Sequence, residues 1–336
     1  MSRSLNRSVL VASLLLGAQH ASALNIVITN DDGFETPNIQ ALYDALVAAG
    51  HDVILSAPYS GQSGTSGMIA FLRPIGPTSQ ASPGGTLPAG SPGVGPTTLG
   101  PQQFYVDGSP SAAVLYGIDV AAMHAWGAYP DLVISGPNEG NNLGIVTPHS
   151  GTIGAAVTAL NKRIPAIALS AASGDARQAR IVAELTVRLV DALDGRHGVK
   201  LPEGIGLNVN TPVIDADNTT AEDYSFFVTR IGESANFGLQ FYEHLGDSPV
   251  AVGFGVPAGL PLPGVSLEIP ASLGGYPEDD DPRSETNALD EGYVTVSPIQ
   301  GTYTATSSAT AQVHRAVDGV LDNRDFRHDK RHYNAH

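Results

Sequence analysis

Residues 24–56 constrain the fold of this chain more than any other stretch. Residues 24–29 (LNIVIT) form a short apolar run rich in β-branched side chains, stopped by Asn30-Asp31-Asp32-Gly33. That is the pattern of a strand buried on both faces of a parallel sheet. Thr36 then stands as a helix N-cap with Pro37 at the first helical position. Ile39, Leu42 and Leu46 recur on one face, and Gly50 closes the helix. Residues 52–56 (DVILS) supply a second strand. The result is a βαβ unit, whose right-handed crossover brings the ends of both strands to one edge of the sheet.

The alternation continues. Residues 104–106, 131–135 and 166–169 read as strands, and helices are predicted from Pro110 to about Ala122, from Thr152 to about Asn161, and over 175–193. The pattern predicts an α/β fold, a Rossmann-like and mostly parallel sheet flanked by helices. Between Gly76 and Pro101 it collapses: 13 of 26 residues are Gly or Pro and none is charged, so a flexible excursion is expected. Its place next to the end of the second strand leaves open a mobile lid or a passive loop. Beyond about Asp215 helical periodicity weakens, which predicts an extended, β-rich C-terminal region over 215–336.

The chain carries 17 Lys plus Arg against 33 Asp plus Glu, a net charge of −16. Such a field repels duplex nucleic acid and anionic lipid surfaces, so neither is an expected partner. It still admits a small anion where a metal ion supplies local positive charge. The absence of cysteine excludes disulfides and thiolate chemistry. At the N-terminus, Arg3 and Arg7 precede an apolar stretch over 9–18 and the small residues Ala21-Ser22-Ala23. This is the pattern of a signal peptide over 1–23, so the protein is expected to be exported, periplasmic or secreted, with 24–336 as its mature domain. No segment is long and apolar enough to read as a membrane span.

In an open parallel sheet, ligands bind at the carboxyl ends of the strands. Three polar, Gly-bearing loops fall there: 30–33, 60–66 and 135–142. The adjacent carboxylates of Asp31 and Asp32 repel each other, and a divalent cation removes that penalty. With Ser63 and Asn138 they form an all-oxygen ligand set, suited to Mg²⁺ or Mn²⁺ rather than zinc. Asn30, Gly64, Thr65, Ser66 and Asn142 offer amide, hydroxyl and backbone donors for a phosphate. Ser150-Gly151-Thr152, opening a helix, form a further anion site. His149 is the candidate general acid, alongside Asp31 and Asp32 as catalytic carboxylates. Taken singly, each of these features also reads as ordinary turn, cap or structural chemistry.

The same residues carry a family resemblance. Asn30-Asp31-Asp32-Gly33 with Pro37 and Ile39, then Ala57-Pro58 with Ser63-Gly64, resemble the SurE family of metal-dependent phosphatases and nucleotidases. So do Asp107-Gly108-Ser109-Pro110, Ser135-Gly136 with Asn138, Gly140 and Asn142, and Ser150-Gly151-Thr152. Leu207-Asn208-Val209-Asn210 and Glu291-Gly292-Tyr293-Val294 follow in the family's order. The resemblance implies hydrolysis of phosphate monoesters, nucleoside 5′- or 3′-monophosphates among them. It implies a divalent metal held by residues matching Asp31, Asp32, Ser63 and Asn138, and a homodimer or homotetramer joined through the C-terminal region. Three features depart from it: the export signal, the insertion at 76–101, and Gln62 where relatives carry a basic residue.

Residue chemistry and resemblance agree on a metal-activated water, with an aspartyl-phosphate through Asp31 or Asp32 as the other route. The competing readings are a dinucleotide-binding module, which the missing G-x-G-x-x-G spacing disfavours, and an exported solute- or nucleotide-binding protein without turnover.

Overall fold

The computed structural model of the chain describes residues 23–195, 198–235, 238–268 and 279–316. The expected signal peptide, up to Ser22, lies outside the described residues. In chain order the strands are β1 (Asn25–Thr29), β2 (Asp52–Pro58), β3 (Val94–Pro96), β4 (Gln103–Val106), β5 (Leu132–Glu139), β6 (Ala166–Ala171), β7 (Ile205–Asn210), β8 (Phe226–Val228), β9 (Gly238–Tyr242), β10 (Gly264–Glu268) and β11 (Val294–Gln300). The helices are α1 (Pro37–Ala48), α2 (Pro110–Tyr116), α3 (Met123–Trp126), α4 (Gly151–Asn161), α5 (Ala176–Leu193), α6 (Pro249–Gly253), α7 (Glu285–Asp290) and α8 (Ser307–Ala316). The chain divides into two compact units at Gly301, and α8 belongs to the second.

Nine strands form one sheet in the order β3-β4-β2-β1-β5-β6-β7-β11-β8, and β9 and β10 form a separate antiparallel ribbon. From β4 through β7 the pairing is parallel. The chain runs outward from β1 through β2 to β4, then returns to the other side of β1 as β5. The strand order therefore reverses between β1 and β5.

Side chains alternate across the sheet as period-2 geometry requires. Ile26 and Ile28 join Leu55, Leu132 and Ile134 in a core beneath α1 and α5. Val27, Ile54, Val133 and Ala168 face the other way, against α2 and α4. The α4 face is built of Ala155, Ala156 and Ala159, all fully buried, so the helix lies close on the strands. The helix expected from Pro110 to Ala122 is α2 followed by a wider π turn over Gly117–Ala122 that runs on into α3.

The Gly/Pro-rich segment 76–101, whose composition predicts a flexible excursion, is tied down along its length. Leu87 is buried in the core, β3 pairs with β4, and the Tyr59 and Tyr105 hydroxyls donate to the carbonyls of Gln80 and Pro92. Glu35 grips it most firmly, accepting from Ser82 Oγ (2.8 Å), the Gly84 amide (2.6 Å), and both the amide (3.0 Å) and hydroxyl (2.5 Å) of Thr86. These donors hold the Glu35 carboxyl below its ordinary value although burial opposes them. An acid with a depressed folded pKa stabilises above its unfolded value and loses that contribution as pH falls through the folded one. Protection of 76–101 from limited proteolysis should therefore persist at neutral pH and fade below about pH 4.5. Glu35→Ala should remove it at all pH and cost about 2 kcal/mol, since hydrogen bonds to a charged, half-buried group are lost. Equal proteolysis of wild type and variant at pH 7 would contradict this role.

The region beyond Asp215, predicted to be extended and β-rich, carries four strands among the described residues, and two of them join the main sheet. β8 and β11 are members of it, β11 running antiparallel to β7 from Thr295–Asn210 to Gln300–Ile205. The ribbon of β9 and β10, with α6, lies between them in sequence.

Candidate active site

The strand reversal between β1 and β5 leaves a crevice at the carboxyl edge, where sheets of this type place their ligands. Asp31 and Asp32 follow β1, and Asn138 and Glu139 end β5, so the two sides of the crevice carry the expected ligand residues. Residues 135–142 read as a loop in the sequence, but β5 continues to Glu139 through a bulge. Ser135 pairs with Ala168 and Asn138 with Ser170, so three steps on β5 match two on β6. Gly136 makes this possible: its φ is +126°, and a Cβ there would lie 2.0 Å from the Leu169 carbonyl oxygen.

A cavity of about 470 Å³ opens at this edge. Its polar end is lined by Asp31, Ser63, Gly64, Asn138, Asn142, His149 and Ser150. Asp31 is buried, and its Oδ1 accepts from the Thr152 hydroxyl at 2.6 Å. Burial pushes its carboxyl up, while that hydroxyl and backbone N–H groups including those of Thr152 and Gly151 pull it down without winning. Asp32 accepts the Glu139 amide at 2.9 Å, which joins the β1 and β5 edges directly. Burial first, and the adjacent Asp31 charge second, push Asp32 up to about 7. Asn138 donates its Nδ2 to the Gly140 carbonyl at 2.7 Å, so its amide oxygen is the atom it could offer a cation. Ser63 is exposed on the facing loop.

These donors fit a hard divalent cation. Two carboxylates sit together where burial disfavours their charge, neutral oxygens stand beside them, and no lysine or arginine is among the described residues lining the cavity. Among the described residues no group of three or more His, Cys, Asp or Glu could hold a metal, so the fit rests on a mixed carboxylate, hydroxyl and amide set.

Several expected phosphate-binding residues are committed elsewhere. Asn30 is fully buried and spends its side chain on its own turn, exchanging hydrogen bonds with the carbonyl (2.9 Å) and amide (3.1 Å) of Gly33. Thr65 Oγ1 donates to the Gln62 carbonyl and Ser66 Oγ to the Pro148 carbonyl. The start of α4, an anion site by its sequence, faces Asp31: Thr152 donates to it, and a Cβ on Gly151 would lie 2.8 Å from its Cβ. Ser150 Oγ accepts from the Ile153 amide as an N-cap. The helix end therefore stabilises the protein's own carboxylate. His149 is exposed and lines the cavity.

Sequence reasoning misses the far wall. Leu239 of β9, Val250 of α6, Val265 and Leu267 of β10, and Leu245 and Phe254 on either side of α6 give the cavity an apolar side facing the polar end. Their only sequence signal is a scatter of apolar residues with no motif.

The sequence profile of the family described as Survival protein SurE matches residues 26–236. The chain is 31% identical over 278 residues to the 5′-nucleotidase SurE of Nitrosococcus oceani, covering 82% of this chain and 91% of that protein. It is 38% identical over 216 residues to an acid phosphatase of Yarrowia lipolytica, covering 59% of this chain and 60% of that protein's length. The crystal structure of the SurE protein from Aquifex aeolicus superposes with a TM-score of 0.61 at 26% identity, covering 88% of this chain and 99% of that one. With the paired aspartates and the bulged Asn138 strand at the reversal of the sheet, and a matched profile spanning β1 to β8, this chain belongs to the SurE family.

Proposed function

We propose that the protein is an exported phosphomonoesterase that uses a divalent cation, Mg²⁺ or Mn²⁺, to hydrolyse phosphate monoesters, nucleoside 5′- and 3′-monophosphates among them. The observation that carries this reading is the charge pattern of the site: Asp31 and Glu139 line the cavity with neutral oxygen donors, Asp32 is crowded against them, and no lysine or arginine is in the described lining. Against that end a phosphate dianion meets only repulsion until a cation is present. Asp31, Asp32, Ser63 and Asn138 would hold the cation, which would supply positive charge to the phosphoryl oxygens and lower the pKa of a water for in-line attack.

The chain's own residues do the positioning. Asp31 is fixed by Thr152 and by the start of α4, which suits a ligand better than a nucleophile, so water is the attacking group. Gly64, without a side chain, lets the phosphoryl group approach the Ser63 loop. His149 is placed to protonate the leaving oxygen. The apolar wall receives the organic part of the ester and shields the reaction from bulk water. The names of the relatives, a 5′-nucleotidase and an acid phosphatase, support the same reaction class.

Export rests on Arg3, Arg7, the apolar stretch over 9–18 and the small residues Ala21-Ser22-Ala23. Among the described residues no helix is long and apolar enough to cross a membrane. Assembly into a homodimer or homotetramer is supported by exposed Phe241 and Leu262 on and around the ribbon, outside the cavity's lining.

The test is phosphate release from p-nitrophenyl phosphate and a nucleotide panel, first from chelator-stripped protein and then with metals returned singly. Stripped protein should be inactive, and Mg²⁺ or Mn²⁺ should restore turnover. Full activity without metal, or tight nucleotide binding with no phosphate released under any metal, overturns the reading.

A further inference from the structure

Glu285, the first residue of α7, is fully buried, and the cavity's lining does not include it. Burying a carboxyl is costly unless its oxygens are matched, yet Oε2 makes no hydrogen bond of ordinary distance and angle. Burial pushes the group up to about 7, while Ser297 and Asn208 pull it back. Its Oε1 accepts from Asn208 Nδ2 at 2.8 Å, and the same amide nitrogen donates to the Asn142 carbonyl at 3.1 Å.

One amide thus serves two acceptors, and Glu285, the nearer of the two, acts with the Asn142 carbonyl to set which way it points. An amide flipped by 180° would turn its oxygen toward the carboxyl and toward the Asn142 carbonyl, repelling both. Beyond Asn142 the bonds continue in one direction. Asn142 Nδ2 donates to Ser170 Oγ (2.9 Å) and to Thr152 Oγ1 (3.4 Å), and Thr152, so supplied, gives its own proton to Asp31 Oδ1 at 2.6 Å. Asn210 holds the Asn142 main chain from the other side, its Oδ1 accepting the Asn142 amide at 2.9 Å.

We propose that Glu285 is a positioning residue of the site: it orients the Asn208 amide, and through Asn142 and Thr152 it fixes Asp31 as a hydrogen-bonded cation ligand. This rests on the phosphatase reading for its kinetic arm only, because cation binding can be measured separately.

Two neutral replacements of similar size separate the acceptor from the charge. Glu285→Gln keeps an oxygen for Asn208, whereas Glu285→Met removes it and also removes the cost of burying a carboxyl, so both should fold. Mn²⁺ affinity, followed by paramagnetic resonance, should fall about tenfold in E285M and stay within about twofold of wild type in E285Q. In p-nitrophenyl phosphate hydrolysis at saturating Mn²⁺, E285M should lose about tenfold in kcat with KM nearly unchanged, and E285Q should recover most of it. Asn208→Leu, which deletes the amide itself, should reproduce the E285M loss and serves if E285M does not fold. The proposal is overturned if E285M and Asn208→Leu bind Mn²⁺ and turn over like wild type, or if E285Q loses as much as E285M. A wild type that binds Mn²⁺ but releases no phosphate defeats the phosphatase reading alone, and the Mn²⁺ arm still decides the role of Glu285.

Discussion

Asp32→Asn should lower phosphate release by a hundredfold or more, the scale of about 3 kcal/mol seen when a key electrostatic group is removed. The substitution keeps the shape of the side chain and its acceptor for the Glu139 amide while deleting one of two ligand charges. Excess Mg²⁺ or Mn²⁺ should recover part of the rate, because the loss is one of affinity. Metal-free stability should move the other way. A carboxyl raised to about 7 keeps its proton in the folded state where the unfolded chain has lost it. Its contribution is therefore greatest below about pH 4 and is lost as pH rises toward 7. The metal-free variant should escape that decline and melt at least as high as metal-free wild type at pH 7. Saturating cation should reverse the order, since it neutralises the repulsion only where both carboxylates remain. An Asp32→Asn protein with normal turnover at trace metal, or one less stable than wild type without metal, would show that the pair is not a cation site.

The second large effect is at Gly154, inside α4. A Cβ there would lie 2.1 Å from the Ser66 carbonyl oxygen and 2.6 Å from the Gly67 nitrogen, both main-chain atoms that no side-chain rotation can move aside. The Ser66 loop is clasped to the start of α4 by the Ser66 amide on the His149 carbonyl (3.2 Å) and its hydroxyl on the Pro148 carbonyl (2.7 Å). Helix propensity alone predicts that Gly154→Ala stabilises by about 1 kcal/mol. The clash predicts the opposite sign, a loss of about 3 kcal/mol. It also pushes away the loop that carries Ser63, so Mn²⁺ affinity and turnover should each fall at least about tenfold. A Gly154→Ala protein that melts higher than wild type and keeps its Mn²⁺ affinity would refute the close approach.

How much of the fold and the site is legible in the sequence depends on range. The β1–α1–β2 unit can be read because its signals are local: a β-branched run, a Pro at a helix start, a Gly at its end. Asp31 and Asp32 pose a charge problem by their adjacency alone, and Ser63 and Asn138 are reachable because strand ends converge. The extent of β5 is hidden, because Ser-Gly-Pro-Asn spells a turn unless the neighbouring strand is known to accept a bulge. Asn30 and the start of α4 read as phosphate donors because a donor in a sequence has no visible acceptor. In the folded chain those acceptors are Gly33 and Asp31. Glu285 and the apolar wall have no local signature, since each gains meaning only from partners many residues away. The Gly/Pro segment misleads for the same reason: composition shows its freedom and cannot show Glu35 gripping it.

The placement of the apolar wall bears on how new specificities arise. β9, α6 and β10 leave the main sheet after β8 and rejoin it at β11, and those two strands are hydrogen-bonded neighbours, Val294 beside Phe226 and Val296 beside Val228. The excursion therefore starts and ends on one seam, while Asp31, Asp32, Ser63 and Asn138 sit on the opposite half of the sheet. Such a cassette can be lengthened, shortened or exchanged between relatives with its two anchor points unchanged. Selection for a different alcohol in the ester can then act on residues 238–268 while the cation ligands stay fixed.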